Sequence, residues 1–221
     1  MTIWFASGNA NKKAELSAIL GGDYKVLIPR DVGLDFDPEE TGNSFYENAL
    51  LKARELYGLL TRCRPQVYQD GDPVIADDSG ICVDALGGRP GIFSARYAGA
   101  QSAAKNVPDD KKLESVERNA LLLAELGDSP NRSARFVCAM ALLFRADVFC
   151  VAQETLEGEL VKGPEFARGT GGFGYDPILY IPGMNRTVAE LSEEEKNRIS
   201  HRGKAGKIIA EVLRTYSPWQ K

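Results

Sequence analysis

The spacing of apolar residues changes along the chain, and the changes separate strands from helices. Ile3-Trp4-Phe5-Ala6 is an unbroken apolar run and reads as a first strand. Ser7-Gly8-Asn9 is a turn, and a helix is expected from about Asn11, with Leu16, Ile19 and Leu20 on one face and Gly21-Gly22 as its stop. Tyr24 to Ile28 reads as a second strand. Ser44-x-x-Glu47 is a capping box that opens a longer helix, in which Phe45, Ala49, Ala53, Leu56 and Leu60 keep helical spacing. The polar stretch from Arg64 to Pro73 reads as a surface loop. Val74-Ile75-Ala76 then reads as a buried strand that ends at Asp77-Asp78-Ser79-Gly80, a composition that also suits a turn.

The second half of the chain has a different rhythm. Ala98 to Asp110 is small and polar and reads as a connection, and Lys112 to Leu126 as a helix ended by Gly127. Ala134 to Phe144 is almost wholly apolar, as expected of a central strand buried on both faces. Arg145-Ala146-Asp147 turns it into a strand from Val148 to Glu154, and Leu156 to Val161 is expected to add a third, giving an antiparallel meander. Ile178 to Ile181 is a short strand, and Ser192-x-x-Glu195 is a second capping box. Lys204 to Tyr216 is a closing helix with Ile208, Ile209, Val212 and Leu213 expected inward. Early alternation of strand and helix, followed by clustered antiparallel strands, predicts an α/β fold with a mixed sheet in two lobes, with a cleft as the ligand site. Residues 1–221 are expected to form one domain.

Composition narrows the function. A net charge of −4 argues against a broad nucleic-acid-binding face. No apolar run approaches the ~20 residues of a membrane span, and no basic segment opens the chain as in a signal peptide. Cys63, Cys82, Cys138 and Cys150 form no CxxC pair and read as reduced thiols of a cytoplasmic protein. The single histidine, His201, excludes a multi-histidine zinc site, so metal chemistry must rest on carboxylates.

Five segments carry candidate chemistry. Asp77 and Asp78 are adjacent, so their repulsion calls for a proton or a hard, oxygen-loving cation such as Mg²⁺. Ser7-Gly8-Asn9-Ala10-Asn11-Lys12 lies at a helix N-terminus, which suits either an anion or a simple helix cap. Glu39-Glu40-Thr41-Gly42 is an acidic loop able to complete a cation site. Gly169 to Pro177 holds four glycines in the six residues 169–174, with Phe173 and Tyr175 interleaved, so its backbone approaches a ligand closely and offers a ring for stacking. A last segment, Lys196-x-x-x-Ser200-His201-Arg202-Gly203, supplies donors without an obligatory carboxylate partner nearby.

In this order, these motifs resemble the inosine triphosphate pyrophosphatase family, the dITP/XTP pyrophosphatases. The likeness also includes Phe45-x-Glu47-Asn48-Ala49, Leu86-Gly87-Gly88-x-Pro90-Gly91 and Ser94-Ala95-Arg96-Tyr97, and it runs from Ser7 to Gly203. Ser7 stands where a threonine is common, and the loops at 62–73 and 98–110 are longer than usual. The resemblance implies a homodimeric enzyme with a long central mixed sheet. It also implies Mg²⁺-dependent hydrolysis of ITP, dITP and XTP to the monophosphate and pyrophosphate. Asp78 would be general base and metal ligand, and Glu39 the other ligand. Ser7, Gly8, Asn9, Ala10, Asn11 and Lys12 would hold the phosphates, and Ser79 would touch the nucleotide. Phe173, Gly174, Tyr175, Asp176, Lys196, His201 and Arg202 would bind the nucleotide, mostly at the base.

Overall fold

The computed structural model describes residues 1–98 and 113–215. Seven strands form one mixed sheet in the order β2-β1-β3-β4-β5-β6-β7. They are β1 (Thr2–Phe5), β2 (Lys25–Leu27), β3 (Val74–Val83), β4 (Ser133–Arg145), β5 (Val148–Leu160), β6 (Leu179–Ile181) and β7 (Arg186–Thr187). Among the described residues, five α-helices accompany them: α1 (Ala10–Leu20), α2 (Phe45–Cys63), α3 (Ser115–Leu126), α4 (Glu193–Ile199) and α5 (His201–Thr215). β1 pairs in parallel with β2 and β3, whereas β6 runs antiparallel to β5 and β7. The chain divides into two compact units. The first comprises residues 1–78, 138–154 and 201–221, and the second residues 79–137 and 155–200.

In the first unit, Ile3, Phe5, Ile75, Met140 and Leu142 meet Leu16 of α1 and Ile209 of α5 in one apolar core. The inward face of α5 differs from the expected one. Ile208 is exposed, and the buried stripe runs through His201, Arg202, Ala205, Gly206, Ile209 and Leu213. The small residues explain the rotation, because any Cβ on Gly206 would press on Ile19 of α1. In the second unit, Ile81, Val83, Tyr97, Leu122, Phe136, Tyr175 and Leu179 belong to a separate core.

Two strand boundaries depart from the sequence expectation. β3 does not end at the acidic pair but runs through Asp77-Asp78-Ser79-Gly80 to Val83. Its place between β1 and β4 in the sheet overrides the turn preference of those residues. The expected strands at 148–154 and 156–161 are one continuous strand, β5. The expected helix from Lys112 starts at Ser115; Lys112, the 99–110 part of the preceding connection and Tyr216 lie outside the described residues. The second capping box forms in full, with Ser192 Oγ accepting from the Glu195 amide and Glu195 from the Ser192 amide; at α2 only half of the expected box forms, since Ser44 Oγ accepts from the Glu47 amide but the Glu47 carboxylate accepts from the Asn43 amide.

Candidate active site

Period-two geometry explains how two adjacent aspartates share one buried strand. Successive β side chains point to opposite faces. Asp77, 1% exposed, meets Lys12 of α1 and Arg202 of α5. Asp78, 6% exposed, meets Asn48 and Lys52 of α2. The pleat therefore sends the two carboxylates to different hydrogen-bonding partners.

Asp77 is a saturated anion. Lys12 Nζ lies 3.1 Å from Oδ1 and 3.0 Å from Oδ2. Arg202 donates from Nε at 3.2 Å and from Nη2 at 3.0 Å to Oδ2, while its Nη1 donates to Glu15 Oε2 at 2.6 Å. Burial pushes the Asp77 carboxyl up, but Lys12, Arg202 and Lys52 outweigh it and hold it well below the ordinary range. Asp78 moves the other way. Burial raises it, Lys52 pulls it back, and the nearby Glu40 charge adds to the rise, so it lies above the ordinary carboxylate range. Asn48 Nδ2 donates to Asp78 Oδ2 at 3.1 Å, and Lys52 Nζ to Oδ1 at 3.3 Å.

Lys52 also donates to Glu40 Oε1 at 2.7 Å, so one ammonium bridges Glu40 and Asp78. Burial lowers the tendency of Lys52 to hold its proton, but Asp78, Asp77 and Glu40 more than restore it. Asn48 Oδ1 accepts from the Gly42 amide at 2.8 Å, which ties the acidic loop to the residue that holds Asp78. Glu39 is exposed on that loop, and its neighbour Glu40 is the one brought to Lys52. Asn48 and Lys52 had no role in the sequence reading, which named Glu40 as one of two glutamates on an acidic loop able to complete a cation site. Their signal is legible in retrospect: Asn48 and Lys52 are two polar residues one turn apart on the otherwise apolar stripe of α2.

The 7–12 segment forms a cap. Asn9 Oδ1 accepts from the Asn11 and Lys12 amides at 2.9 and 3.2 Å, and the Asn9 amide donates to Ser7 Oγ at 3.1 Å. Gly8, Asn9, Ala10 and Asn11 are exposed. Ser79 is half-buried within β3.

The glycine-rich loop belongs to the second unit. Asp176 Oδ2 accepts from the Phe173 amide at 2.7 Å and from Lys196 Nζ at 2.9 Å, and Lys196 lies 4.8 Å from the centre of the Phe173 ring. Gly172, at φ +71°, admits no side chain, because a Cβ would overlap the Asp176 carboxylate. Tyr175 turns its ring into the core at 5% exposure. The sequence shows no obligatory carboxylate partner near Lys196 and Arg202; the fold brings distant ones, Asp176 to the first and Asp77 and Glu15 to the second. Ser200 breaks the helix between α4 and α5, and His201 opens α5 at 6% exposure.

A mixed seven-stranded sheet with helices, whose strand β3 sends two adjacent buried carboxylates to different partners, defines an α/β protein with a buried charged site. The model of the Ham1 family matches residues 3–212. A dITP/XTP pyrophosphatase of Treponema denticola is 44% identical over 205 residues, covering 93% of this chain and 94% of its own. The solved Ham1 protein of Staphylococcus aureus superposes with a TM-score of 0.78 at 37% identity, covering 97% of this chain and 98% of its own. A HAM1 protein from Coxiella burnetii gives 0.77 at 38% identity, covering 98% and 100%. This chain belongs to the Ham1 family.

Proposed function

We propose that this chain is a nucleoside-triphosphate pyrophosphatase that hydrolyses the non-standard purine nucleotides ITP, dITP and XTP to the monophosphate and pyrophosphate, clearing deaminated purines from the pool that feeds DNA and RNA. The relatives named dITP/XTP pyrophosphatase support the activity. The observation that carries the chemistry is the opposite displacement of two adjacent carboxylates, the pattern that assigns acid–base roles.

In this reading Asp78 is the general base. Its raised pKa makes it a better proton acceptor than an ordinary aspartate, and an Oδ takes a proton from the water that attacks the α-phosphorus. Cleavage of the α–β bridge then releases pyrophosphate. Lys12 and the cap at Ser7 to Asn11 hold the phosphates. Asp77 orients Lys12 and Arg202, and Lys52 holds Asp78. Ser79 contacts the nucleotide. Phe173, Gly174, Asp176, Lys196, His201 and Arg202 serve the base, while Tyr175, its ring turned into the core, holds the 172–176 loop from behind.

The donor set fits Mg²⁺. Among the described residues no group of three or more His, Cys, Asp or Glu could hold a metal. Mg²⁺ is commonly held by one or two carboxylates with waters and substrate phosphates. Asp78 and Glu39 would hold it, and when bound it would withdraw charge from the triphosphate and acidify water. Among the described residues no helix is long and apolar enough to cross a membrane. We read the protein as a cytoplasmic homodimer of one 221-residue domain that binds no nucleic acid.

Pyrophosphate release from ITP, XTP, GTP and ATP, with and without Mg²⁺, tests this function. The expected result is turnover of ITP and XTP far above ATP and GTP, abolished by excess EDTA. Equal turnover of ATP and ITP would overturn the substrate assignment, and full activity in EDTA the metal.

A further inference from the structure

The 172–176 loop is glycine-rich yet held from behind by two side chains that the proposed chemistry does not use as contacts. Tyr175 Oη donates to the Ser94 carbonyl at 2.8 Å. Asn119 of α3, 7% exposed, donates from Nδ2 to the Gly174 carbonyl at 3.1 Å. The Ser94 anchor is itself fixed, since its Oγ donates to the Gly91 carbonyl at 2.6 Å and accepts from the Ile81 amide at 2.8 Å. Gly80 lets the Gly91–Arg96 turn sit this close to β3, because a Cβ there would overlap Gly91 and Ser94. With its ring in the core, Tyr175 has no face for a base. Burial holds its phenol well above the ordinary value, so the O–H stays a donor. Gly174, at φ +67°, is the kind of residue that would otherwise lose most conformational freedom on binding.

We propose that Tyr175 and Asn119 are positioning residues that preform the 172–176 loop before nucleotide arrives, and so set KM and base preference without touching substrate. This rests on the function proposed above. The clamps at Ser94 and Gly174, with Asp176 on the Phe173 amide, fix where the half-buried Phe173 ring stands.

Tyr175→Phe and Asn119→Ala each delete one anchor, and Tyr180→Phe is the control, since its hydroxyl donates to Asn185 Oδ1. A lost hydrogen bond of ordinary net strength predicts a rise of about fivefold in KM for ITP, with kcat within about twofold. The ITP-over-ATP ratio of kcat/KM falls in both variants and holds in Tyr180→Phe. Unmoved KM and ratio with only a lower Tm would make the anchors merely structural and overturn the proposal, as would a fall in kcat alone. Should neither variant fold, amide exchange in the wild type decides. Without nucleotide, the Phe173 and Asp176 amides are expected to be protected, and exchange as fast as an open loop would overturn the clamp. Wild-type turnover of ITP is read first. Its absence would refute the proposed function, while the exchange result would still judge the clamp.

Discussion

Asp77 and Asp78 are chemically identical and physically opposite, and their variants should behave accordingly. Asp78→Asn is expected to abolish turnover while nucleotide binding stays measurable by calorimetry. A variant keeping more than about a tenth of the wild-type rate, under ~1.4 kcal/mol of barrier, would not have lost its base. The folded pKa of Asp78 lies above its unfolded value. Its stability contribution is therefore full below the unfolded value and lost as pH rises through the folded one. Asp78→Asn should thus melt above wild type at pH 8, with the gap closing on acidification. Asp77 has the reverse sign: its contribution is present above the unfolded value and lost as pH falls toward the folded one. Removing it strands Lys12 and Arg202, so Asp77→Asn should cost about 3–5 kcal/mol in urea denaturation. Arg202→Ala should lower Tm by the same logic. It should also lower the ITP-over-ATP ratio of kcat/KM, because a donor suits the 6-keto group of hypoxanthine and not the 6-amino group of adenine. An unchanged ratio would confine Arg202 to its ion pairs.

At the scale of elements, α2 and the 33–44 loop work together. Lys52→Met removes the charge that pulls Asp78 down. The acid limb of kcat/KM should move to higher pH, and a stationary limb would separate Lys52 from the base. Glu40 is already engaged by Lys52, so Glu39→Gln should raise the Mg²⁺ needed for half-activity more than Glu40→Gln does. What the sequence made legible was local. Caps, the apolar stripe of α2 and the run of β4 are set by neighbours within a few residues. β3 was misread because Asp-Asp-Ser-Gly is turn chemistry, and its extension depends on a place inside the sheet that distant strands create. The site was legible where its residues are contiguous, as at 7–12 and 172–176. It was not where partners are distant: Arg202 reaches Asp77 across 125 positions, and Lys52 reaches Asp78 across 26.

At the scale of the whole molecule, an acidic protein must accept a more acidic ligand. The first unit gathers Lys12, Lys52 and Arg202 against Glu15, Glu40, Asp77 and Asp78. Its cations are already engaged before a triphosphate comes near. Nucleotide entry is therefore an exchange reaction: Lys12 must loosen from Asp77 to meet phosphate, and the surplus negative charge must be met from solution. Where magnesium is chelated, the group best placed to answer is Asp78, which can take up a proton. Calorimetric titration of nucleotide in EDTA should thus show a heat that changes with the ionisation enthalpy of the buffer, and magnesium should suppress that dependence. The buffer itself would report which cation, proton or metal, balances the charge of the bound nucleotide.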